Sequence, residues 1–461
     1  MKHVKHLPSE NGITEGVIWK QLLIFFFPIL FGTFFQQLYN TADAIIVGRF
    51  VGKGALAAVG ATGTLINLLV GFFVGLSSGA TVIISQYFGA KKEEDLSNAV
   101  HTAIALSFVS GAIIMAIGLP ISPLVLRLLG TPADIMKDAL LYTRMYFIGI
   151  IGVLIYNIGS GILRAIGDSK HPLYFLIFCC IANIALDYLF VAVFQMGVFG
   201  VAFATLLAQL LSAALVVFTL MRTKAAYRLS LRKIRFTSYI LRNIIRIGLP
   251  AGLQSVLYSL SNLLIQANIN SFGTDTVAAW TAYGKIDGVF WMIINAFGIS
   301  ITTFVGQNFG AAKFDRMKKS VRICLSMAIG ASILLSMFVY ASCGFLLKIF
   351  TNDTSVMEIG VPMIRFLAPF YITYVCIEIL SGAVRGAGDS LIPTIITAVG
   401  VCGLRVVWIL AFVPLHPTVN MVSASYPITW SITSLAFLVY YLHGGWLKRR
   451  QKAMGFLPSD N

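Results

Sequence analysis

Four acidic residues lie inside long apolar stretches of the sequence: Asp43, Asp187, Asp287 and Glu378. The other acidic residues fall in predicted termini, loops or helix ends. A carboxylate near the centre of an apolar layer is costly unless it is paired, hydrated or protonated, so such residues are functional candidates by default. They are suited to binding a cation or to carrying a proton.

Polar side chains accompany two of these acids at helical spacing. Gln36, Tyr39 and Asp43 stand at positions i, i+3 and i+7 of one apolar stretch, which places an amide, a phenol and a carboxylate on one helical face. Asn183 and Asp187 are four residues apart and also share a face. The two faces predict a polar cluster.

The next apolar stretch adds Thr205 and Gln209, which are again four residues apart. Oxygen-rich clusters of this kind suit Na⁺ or a relay of H⁺. The alternative is that these side chains hydrogen-bond neighbouring helices together, as polar residues in membrane bundles often do. That alternative is weaker for the two carboxylates, because burying an ionisable group is expensive.

The elements that position these residues are membrane-spanning helices. Hydrophobic residues make up 58% of the 461 residues, charged residues 11%, and the mean hydropathy is +0.85. Apolar runs long enough to cross a bilayer as a helix recur along the chain, without the short alternating segments of a membrane β-barrel. The twelve predicted spans are 17–48, 54–87, 96–119, 138–160, 172–194, 197–221, 240–270, 276–306, 319–345, 359–381, 392–414 and 423–446.

The basic residues predict the orientation in the membrane. If the N-terminus is cytoplasmic, 25 of the 34 Lys and Arg residues fall on the cytoplasmic side. Both termini are therefore expected in the cytoplasm of a multi-pass protein of the cell (plasma) membrane. The net charge of +16 follows from this topology and does not indicate nucleic-acid binding.

The second half of the chain repeats the first. Seven of the thirteen residues in 160–172 recur 221 positions later in 381–393, and 86–92 matches 307–313 at five of seven positions with the same offset. Pro28 and Pro250 are 222 positions apart, so one insertion or deletion separates the first helices of the two halves. Duplicated halves are how many secondary transporters build a central site.

The duplication predicts the fold class, an all-α membrane protein of twelve helices in two parallel six-helix repeats. Because each repeat has an even number of spans, both enter the membrane from the same side. The predicted domains are an N-lobe at 1–221, a basic cytoplasmic linker at 222–239 and a C-lobe at 240–461.

Enzymatic motifs are missing from the sequence. The six cysteines fall in apolar spans without metal-binding spacing, and the six histidines are scattered near termini and helix ends. The sequence has no GxxxxGK[ST] loop, so ATP finds no support as an energy source. We therefore expect neither an enzyme nor a bound cofactor.

The motifs resemble those of the multidrug and toxic compound extrusion (MATE) family over essentially the whole chain. The segments that carry the resemblance are 39–43 (YNTAD), 183–187 (NIALD), 284–287 (GKID), the paired Q-x-F-G-A segments and the paired R-x-x-G-D-S segments. The resemblance implies two six-helix lobes around a central cavity. It also implies export of cationic, amphipathic compounds against inflowing H⁺ or Na⁺.

Family members similar to this chain use the first-span aspartate, here Asp43, as the coupling carboxylate. Asn183, Asp187 and Thr205 match the rest of their N-lobe cation site, and Asn157 matches an asparagine near it. The resemblance therefore implies a coupling site for H⁺ or Na⁺. Na⁺, if used, would be held by Asp43, Asn183, Asp187 and Thr205.

The C-lobe departs from another branch of the family, which carries a glutamate on its seventh helix, because 250–270 contains no acid. Glu378 instead stands 221 positions after Asn157. We assign Asp287 and Glu378, together with Gln36 and Tyr39, to the substrate cavity. The alternative is that the two acids form charge pairs, for which the cations within the spans are Lys285, Arg365 and Arg405.

The expected partners are small-molecule drugs and the lipid bilayer, with the protein acting as a monomer. One alternative is a lipid-linked oligosaccharide flippase, a class that would want a cavity rich in Arg and Lys. Another is a membrane receptor that does not transport. The choice between H⁺ and Na⁺ stays open, because carboxylates, amides and hydroxyls serve both.

Overall fold

The computed structural model describes residues 12–457, which form helices joined by short connections, with no strand among them. The predicted all-α fold is confirmed. The helices of the first repeat are α1 (Ile18–Ile46), α2 (Lys53–Gly89), α3 (Glu93–Leu128), α4 (Met136–Ala165), α5 (Lys170–Asp187) and α6 (Gly197–Arg222). Those of the second repeat are α7 (Ser238–Asn270), α8 (Thr274–Gly310), α9 (Phe314–Lys348), α10 (Thr354–Leu367), α11 (Tyr371–Gly386), α12 (Leu391–Thr397), α13 (Leu404–Val407) and α14 (Val419–His443), followed by α15 (Trp446–Ala453).

Eleven helical stretches among residues 12–457 are long and apolar enough to cross a membrane. The seventh predicted span, 240–270, corresponds to α7, which has 33 residues but is not among the eleven. Its apolar residues are interrupted by basic and amide side chains such as Arg242, Arg246 and Asn262. A search by apolar length alone therefore misses it, although it is long enough to span.

Large apolar side chains lie on the outside of the helices as well as between them. Leu334, Phe338 and Phe345 are more than half exposed on α9, as are Ile113 and Ile117 on α3. In water such surfaces would favour aggregation, whereas in a bilayer they face lipid chains. The exposed apolar residues therefore agree with a membrane-embedded protein.

Three predicted spans differ from expectation, and in the eleventh the π-helical segments Ala398–Gly403 and Trp408–Phe412 follow α12 and α13. The third was predicted to stop before Pro120, but α3 continues through Pro120 and Pro123 to Leu128. A proline removes one hydrogen bond of the helix, and a membrane helix tolerates that loss. The tenth was predicted as one span, but a 3₁₀ turn at Ala368–Phe370, which contains Pro369, divides it into α10 and α11.

Both repeats pack their second and fourth spans through the same contact. A Cβ atom added to Gly161 on α4 would lie 2.6 Å from the hydroxyl of Thr81 on α2. The equivalent glycine, Gly382 on α11, would place its Cβ 3.0 Å from the hydroxyl of Thr302 on α8. Gly161 and Gly382 are 221 positions apart, and so are Thr81 and Thr302, so the duplication extends to the packing of the helices.

The described chain forms two compact units. Unit 1 is Phe27–Gly248, and unit 2 is 12–26 together with 249–457. Each repeat therefore contributes the start of its first helix to the unit that holds the rest of the other repeat. Pro28 and Pro250 lie one residue beyond the two points at which α1 and α7 pass from one unit to the other.

The starts of α1 and α7 pack against their units in different ways. In unit 2, the ring of Phe26 on α1 stacks on that of Phe297 on α8, with 4.1 Å between ring centroids. In unit 1, a Cβ added to Gly248 on α7 would lie 2.3 Å from the carbonyl oxygen of Leu76 on α2. An aromatic stack thus holds the start of α1, whereas a close backbone approach holds the start of α7.

Candidate functional site

Asp43 and Asp187 lie side by side in unit 1. Their carboxyl groups are close enough to interact directly. Asp43 is 5% exposed and Asp187 is fully buried. Two carboxylates in contact away from water cannot both keep an uncompensated charge, so the pair requires a shared proton or a bound cation.

Helices α1 and α5 bring the two carboxylates together. Asp43 lies one turn before the end of α1, which continues as the π-helical turn Val47–Val51, and Asp187 is the last residue of α5, which continues as the π-helical segment Tyr188–Val193. Turns of π-helix are rare and often lie at functional sites. Both carboxylates therefore stand where a regular helix ends.

Several buried polar atoms on α1, α5 and α6 of unit 1 have no hydrogen-bond partner among residues 12–457. They include Oδ1 of Asp43, both carboxylate oxygens of Asp187, both amide atoms of Asn183 and Oε1 of Gln209. Buried polar groups are usually hydrogen-bonded, so this concentration needs an explanation. No group of three or more His, Cys, Asp or Glu residues suited to a metal occurs in the described chain. A proton or a monovalent cation held by carboxylate and amide oxygens fits this donor set better than a transition metal.

Two phenols, those of Tyr39 and Tyr142, lie near the carboxylate pair, and the phenol of Tyr146 lies near both of them. Tyr39, which we had assigned to the substrate cavity, lies near both carboxylates and near Tyr142 and Tyr146. Tyr142 also lies beside the hydroxyl of Thr205. Sequence reasoning missed Tyr142 and Tyr146, although their counterparts in the second repeat, Met363 and Leu367, carry no phenol. A comparison of the repeats on the fourth span would have found them.

The structure does not join Asn157 or Gln36 to the carboxylate pair. The amide nitrogen of Asn157 donates to the carbonyl oxygen of Val153 on its own helix, at 2.9 Å. Gln36 is exposed, one turn before Tyr39 on α1. Their roles at the coupling site and in the substrate cavity stay predictions.

Asp287 lies in unit 2 within a group of aromatic donors. The indole nitrogen of Trp291, one turn further along α8, donates to Oδ2 of Asp287 at 2.7 Å. The phenols of Tyr283 and Tyr371 lie nearby, but Oδ1 of Asp287 and the hydroxyl of Tyr371 have no hydrogen-bond partner among residues 12–457. The neighbours of this carboxylate are therefore aromatic donors.

Glu378 lies on α11 of unit 2 and has its own aromatic partner. The hydroxyl of Tyr374 donates to Oε2 of Glu378 at 3.5 Å, and it lies 3.2 Å from the hydroxyl of Tyr258. A Cβ atom added to Gly298 on α8 would lie 2.2 Å from Oε1 of Glu378. The absence of a side chain at Gly298 therefore makes the room that the glutamate occupies.

The same two positions are filled differently in unit 1. There Glu378 and Gly298 are replaced by Asn157 and Ser77, each 221 positions earlier. The second repeat thus combines the larger side chain, Glu378, with the smaller residue, Gly298, at the position that contacts it. The two changes together distinguish the second repeat from the first.

Aromatic rings connect the surroundings of Asp287 and Glu378. The rings of Trp291 and Tyr374 lie 4.7 Å apart between centroids, and those of Phe290 and Tyr371 lie 4.3 Å apart. Ring faces attract organic cations, and a carboxylate nearby adds to that attraction. The arrangement is chemically suited to a lipophilic cation.

Arg405 and Arg365 have other partners, whereas Arg385, further along α11, interacts electrostatically with Glu378. Arg405 donates to Oδ1 of Asn262 at 3.0 Å and lies over the ring of Tyr426, and Arg365 lies over the ring of Tyr340. Within the described residues the ion pairs are Lys313 with Glu15 and His171 with Asp168. Neither Asp287 nor Glu378 therefore takes part in an ion pair there.

The family model MatE matches the chain twice, at residues 28–189 and again at 250–410. The chain belongs to the MATE family. The two matches begin at Pro28 and Pro250, which confirms the internal duplication. The predicted family and its two-repeat architecture are thereby confirmed, and membership of the MATE family indicates a transporter and not an enzyme.

Relatives with the MATE architecture match nearly the full length of the chain. It is 28% identical over 436 residues to "Probable multidrug resistance protein YoeA" of Bacillus subtilis, covering 92% of this chain and 93% of the relative. It is 24% identical to "Probable multidrug resistance protein NorM" of Thermotoga maritima, covering 96% of both. The solved structure "Crystal structure of MATE in the bent conformation" superposes with a TM-score of 0.89 at 22% identity, covering 97% of this chain and all of that one.

Proposed function

We propose that this protein is a secondary multidrug efflux transporter that exports cationic, amphipathic compounds in exchange for H⁺ or Na⁺. Two relatives are named as probable multidrug resistance proteins, which supports drugs as substrates. The observation that carries the exchange is the buried contact between Asp43 and Asp187. That pair must be neutralised, and a coupling cation is the neutralising group.

The exchange needs drug and cation to exclude one another. A proton or Na⁺ relieves the repulsion between Asp43 and Asp187 and so stabilises one arrangement of the helices that carry them. If the drug binds better to the other arrangement, each ligand lowers the affinity for the other, because linkage is reciprocal. Alternating access of drug and cation then yields export driven by the cation gradient.

The drug site in this proposal is the region around Asp287, Trp291 and Glu378, which are partly exposed beside a buried aromatic cluster. The two acids supply negative charge, and the ring of Trp291 supplies a face for a cation of varied shape. We further propose that the protein acts as a monomer in the plasma membrane, with both termini in the cytoplasm. The basic linker and the other basic cytoplasmic segments of the sequence support that orientation.

The test is transport of ethidium, a fluorescent organic cation, by the purified full-length protein in liposomes. A pH gradient and a sodium gradient are applied separately, with potassium replacing sodium. We expect either the pH gradient or the sodium gradient to drive ethidium against the ethidium concentration gradient. Asp43→Asn should reduce that movement by about tenfold or more, because an amide has no negative charge for a coupling cation to neutralise.

Asp134→Asn is the matched control, since Asp134 is an exposed acid of the same unit. It should transport as the wild type does. Full ethidium transport by Asp43→Asn would overturn the assignment of the coupling carboxylate. Transport of a lipid-linked diphosphate sugar in place of ethidium would favour the flippase alternative.

A further inference from the structure

The residues just before α1 fold against the start of α9 within unit 2. Arg316 donates from Nε to the carbonyl oxygen of Ile13 at 3.1 Å, from Nη1 to that of Gly16 at 2.8 Å and from Nη2 to that of Glu15 at 2.6 Å. The same Nη2 donates to Oε1 of Gln21, in the first turn of α1, at 3.0 Å. One guanidinium group therefore holds both the turn and the helix that follows it.

Two neighbours of Arg316 add to this contact. Lys313 donates from Nζ to the carbonyl oxygen of Thr14 at 3.0 Å, and the amide nitrogen of Asn308 lies 3.5 Å from the carbonyl oxygen of Ile13. The five donors of an arginine, fixed in a planar fork, can satisfy more carbonyl groups at once than the three donors of a lysine. We call residues 12–17 and their contacts with Arg316 the anchor of α1.

Beyond the anchor, α1 stays in unit 2 for little more than two turns. Leu22, Phe25 and Phe26 are buried there, and Phe25 packs edge-on against Phe304 of α8. From Phe27 onwards the same helix belongs to unit 1, where it carries Asp43. A single helix thus has its first turns fixed in one unit and its coupling carboxylate in the other.

The repeat position of Arg316 has the corresponding task in unit 1. That position is Asp95, which accepts a hydrogen bond from the phenol of Tyr239 at the start of α7, at 2.5 Å. Thr102, two turns further along α3, accepts a hydrogen bond from the backbone N–H of Thr237. The first turn of the third span thus holds the start of the other repeat's first helix in both units, with opposite charge.

We propose that Arg316 is a positioning residue of the exchange: it fixes the start of α1 to unit 2, so that the state of Asp43 is transmitted along α1 to the unit that carries Asp287 and Glu378. This inference rests on the proposed function. Without the anchor, α1 can respond to the cation by shifting its own start, and the drug site no longer responds. Arg316 touches neither ligand in this proposal.

The test uses the full-length protein in lipid nanodiscs and measures its affinity for ethidium by fluorescence. The affinity is measured in the presence and absence of a saturating concentration of H⁺ or Na⁺, whichever drives transport. In the wild type we expect the cation to weaken ethidium binding by about tenfold, a usual size for such coupling. In Arg316→Ala the ratio of the two affinities should fall to about one, while the affinity without cation stays within about twofold of the wild type. Arg316→Lys should give an intermediate ratio, because an ammonium group holds fewer carbonyl groups.

Lys319→Ala is the matched control, since Lys319 is an exposed basic residue one turn further along α9. It should keep the wild-type ratio. An unchanged ratio in Arg316→Ala overturns the proposal, and so does an equal loss of affinity with and without cation, which would indicate damage to the drug site. If Arg316→Ala does not accumulate, Gln21→Ala, which removes one of the hydrogen bonds to the guanidinium, must lower the ratio for the proposal to stand.

Failure of this inference is distinguishable from failure of the proposed function. Suppose that the cation weakens ethidium binding in the wild type and in Arg316→Ala but not in Asp43→Asn. The proposed exchange then stands, and the role of the anchor is contradicted. If the wild type binds ethidium equally well with and without the cation, the proposed exchange fails, and the proposed role of the anchor fails with it.

Discussion

At the scale of single residues, the contact between Asp43 and Asp187 is expected to cost stability. Removing one of two buried like charges relieves both repulsion and desolvation, so we expect Asp187→Asn to raise the free energy of unfolding by about 1 kcal/mol. Transport should be lost at the same time. Thermal unfolding of the detergent-solubilised protein without coupling cation, measured beside ethidium transport, checks both results.

The opposite outcome separates function from structure. If the two carboxylates only hold α1 and α5 together through hydrogen bonds, Asp187→Asn lowers the unfolding temperature or leaves transport intact. Asp168→Asn is the control, because Asp168 lies on the loop before α5 and accepts hydrogen bonds from Lys170 and His171. That variant should keep transport.

Gly298 and Glu378 form a second pair that can be tested at this scale. Gly298→Ser places atoms where Oε1 of Glu378 lies, so it should displace the carboxylate and lower ethidium transport by about tenfold. Gly330→Ser on α9 is the control, because a Cβ there meets nothing within 4 Å. Transport at the wild-type rate in Gly298→Ser would contradict a role for the position of Glu378.

A double substitution refines this prediction. Gly298→Ser with Glu378→Asn copies the pair that unit 1 carries at Ser77 and Asn157. Gly298→Ser should also lower the unfolding temperature, because its side chain overlaps Oε1 of Glu378. The double substitution should restore that temperature, since the smaller amide leaves room for the hydroxyl. Transport should stay low because the acid is gone. Recovery of transport would show that packing alone, and not the carboxylate, matters at this position.

At the scale of helices, the start of α7 is held by a close backbone contact with α2. Gly248→Ala would place a Cβ atom 2.3 Å from the carbonyl oxygen of Leu76, and the backbone cannot make room without separating the helices. We expect a loss of about 3 kcal/mol in the free energy of unfolding. Gly63→Ala on α2 is the control, because nothing lies within 4 Å of its added Cβ, and it should unfold as the wild type does.

Most helices could be predicted from the sequence, because an apolar run of sufficient length has one solution in a bilayer. The exceptions have local causes, such as the prolines that α3 absorbs and Pro369, which divides the tenth span. The exchange of 12–26 between units could not be predicted, because it depends on contacts such as Arg316 with Ile13 that join residues far apart in the sequence.

At the scale of the whole molecule, the two repeats share the packing of their helices and differ at the positions that carry the polar residues of the candidate sites. The offset of 221 correctly relates Gly161 to Gly382, which pack in the same way. The acids of the candidate sites could be read from the sequence, because charge in an apolar span is conspicuous. The phenols of Tyr142 and Tyr146 are less conspicuous, and only the comparison with Met363 and Leu367 of the second repeat distinguishes them in the sequence.

The central claim is that drug and cation cross the membrane in opposite directions in one cycle that depends on Asp43. The most direct measurement starts with equal concentrations of the coupling cation on both sides of proteoliposomes and adds ethidium to one side only, while a dye reports the internal cation. We expect the ethidium gradient to drive the cation in the opposite direction in the wild type and in Asp134→Asn, but not in Asp43→Asn. Ethidium movement without any opposite movement of H⁺ or Na⁺ in the wild type would contradict it.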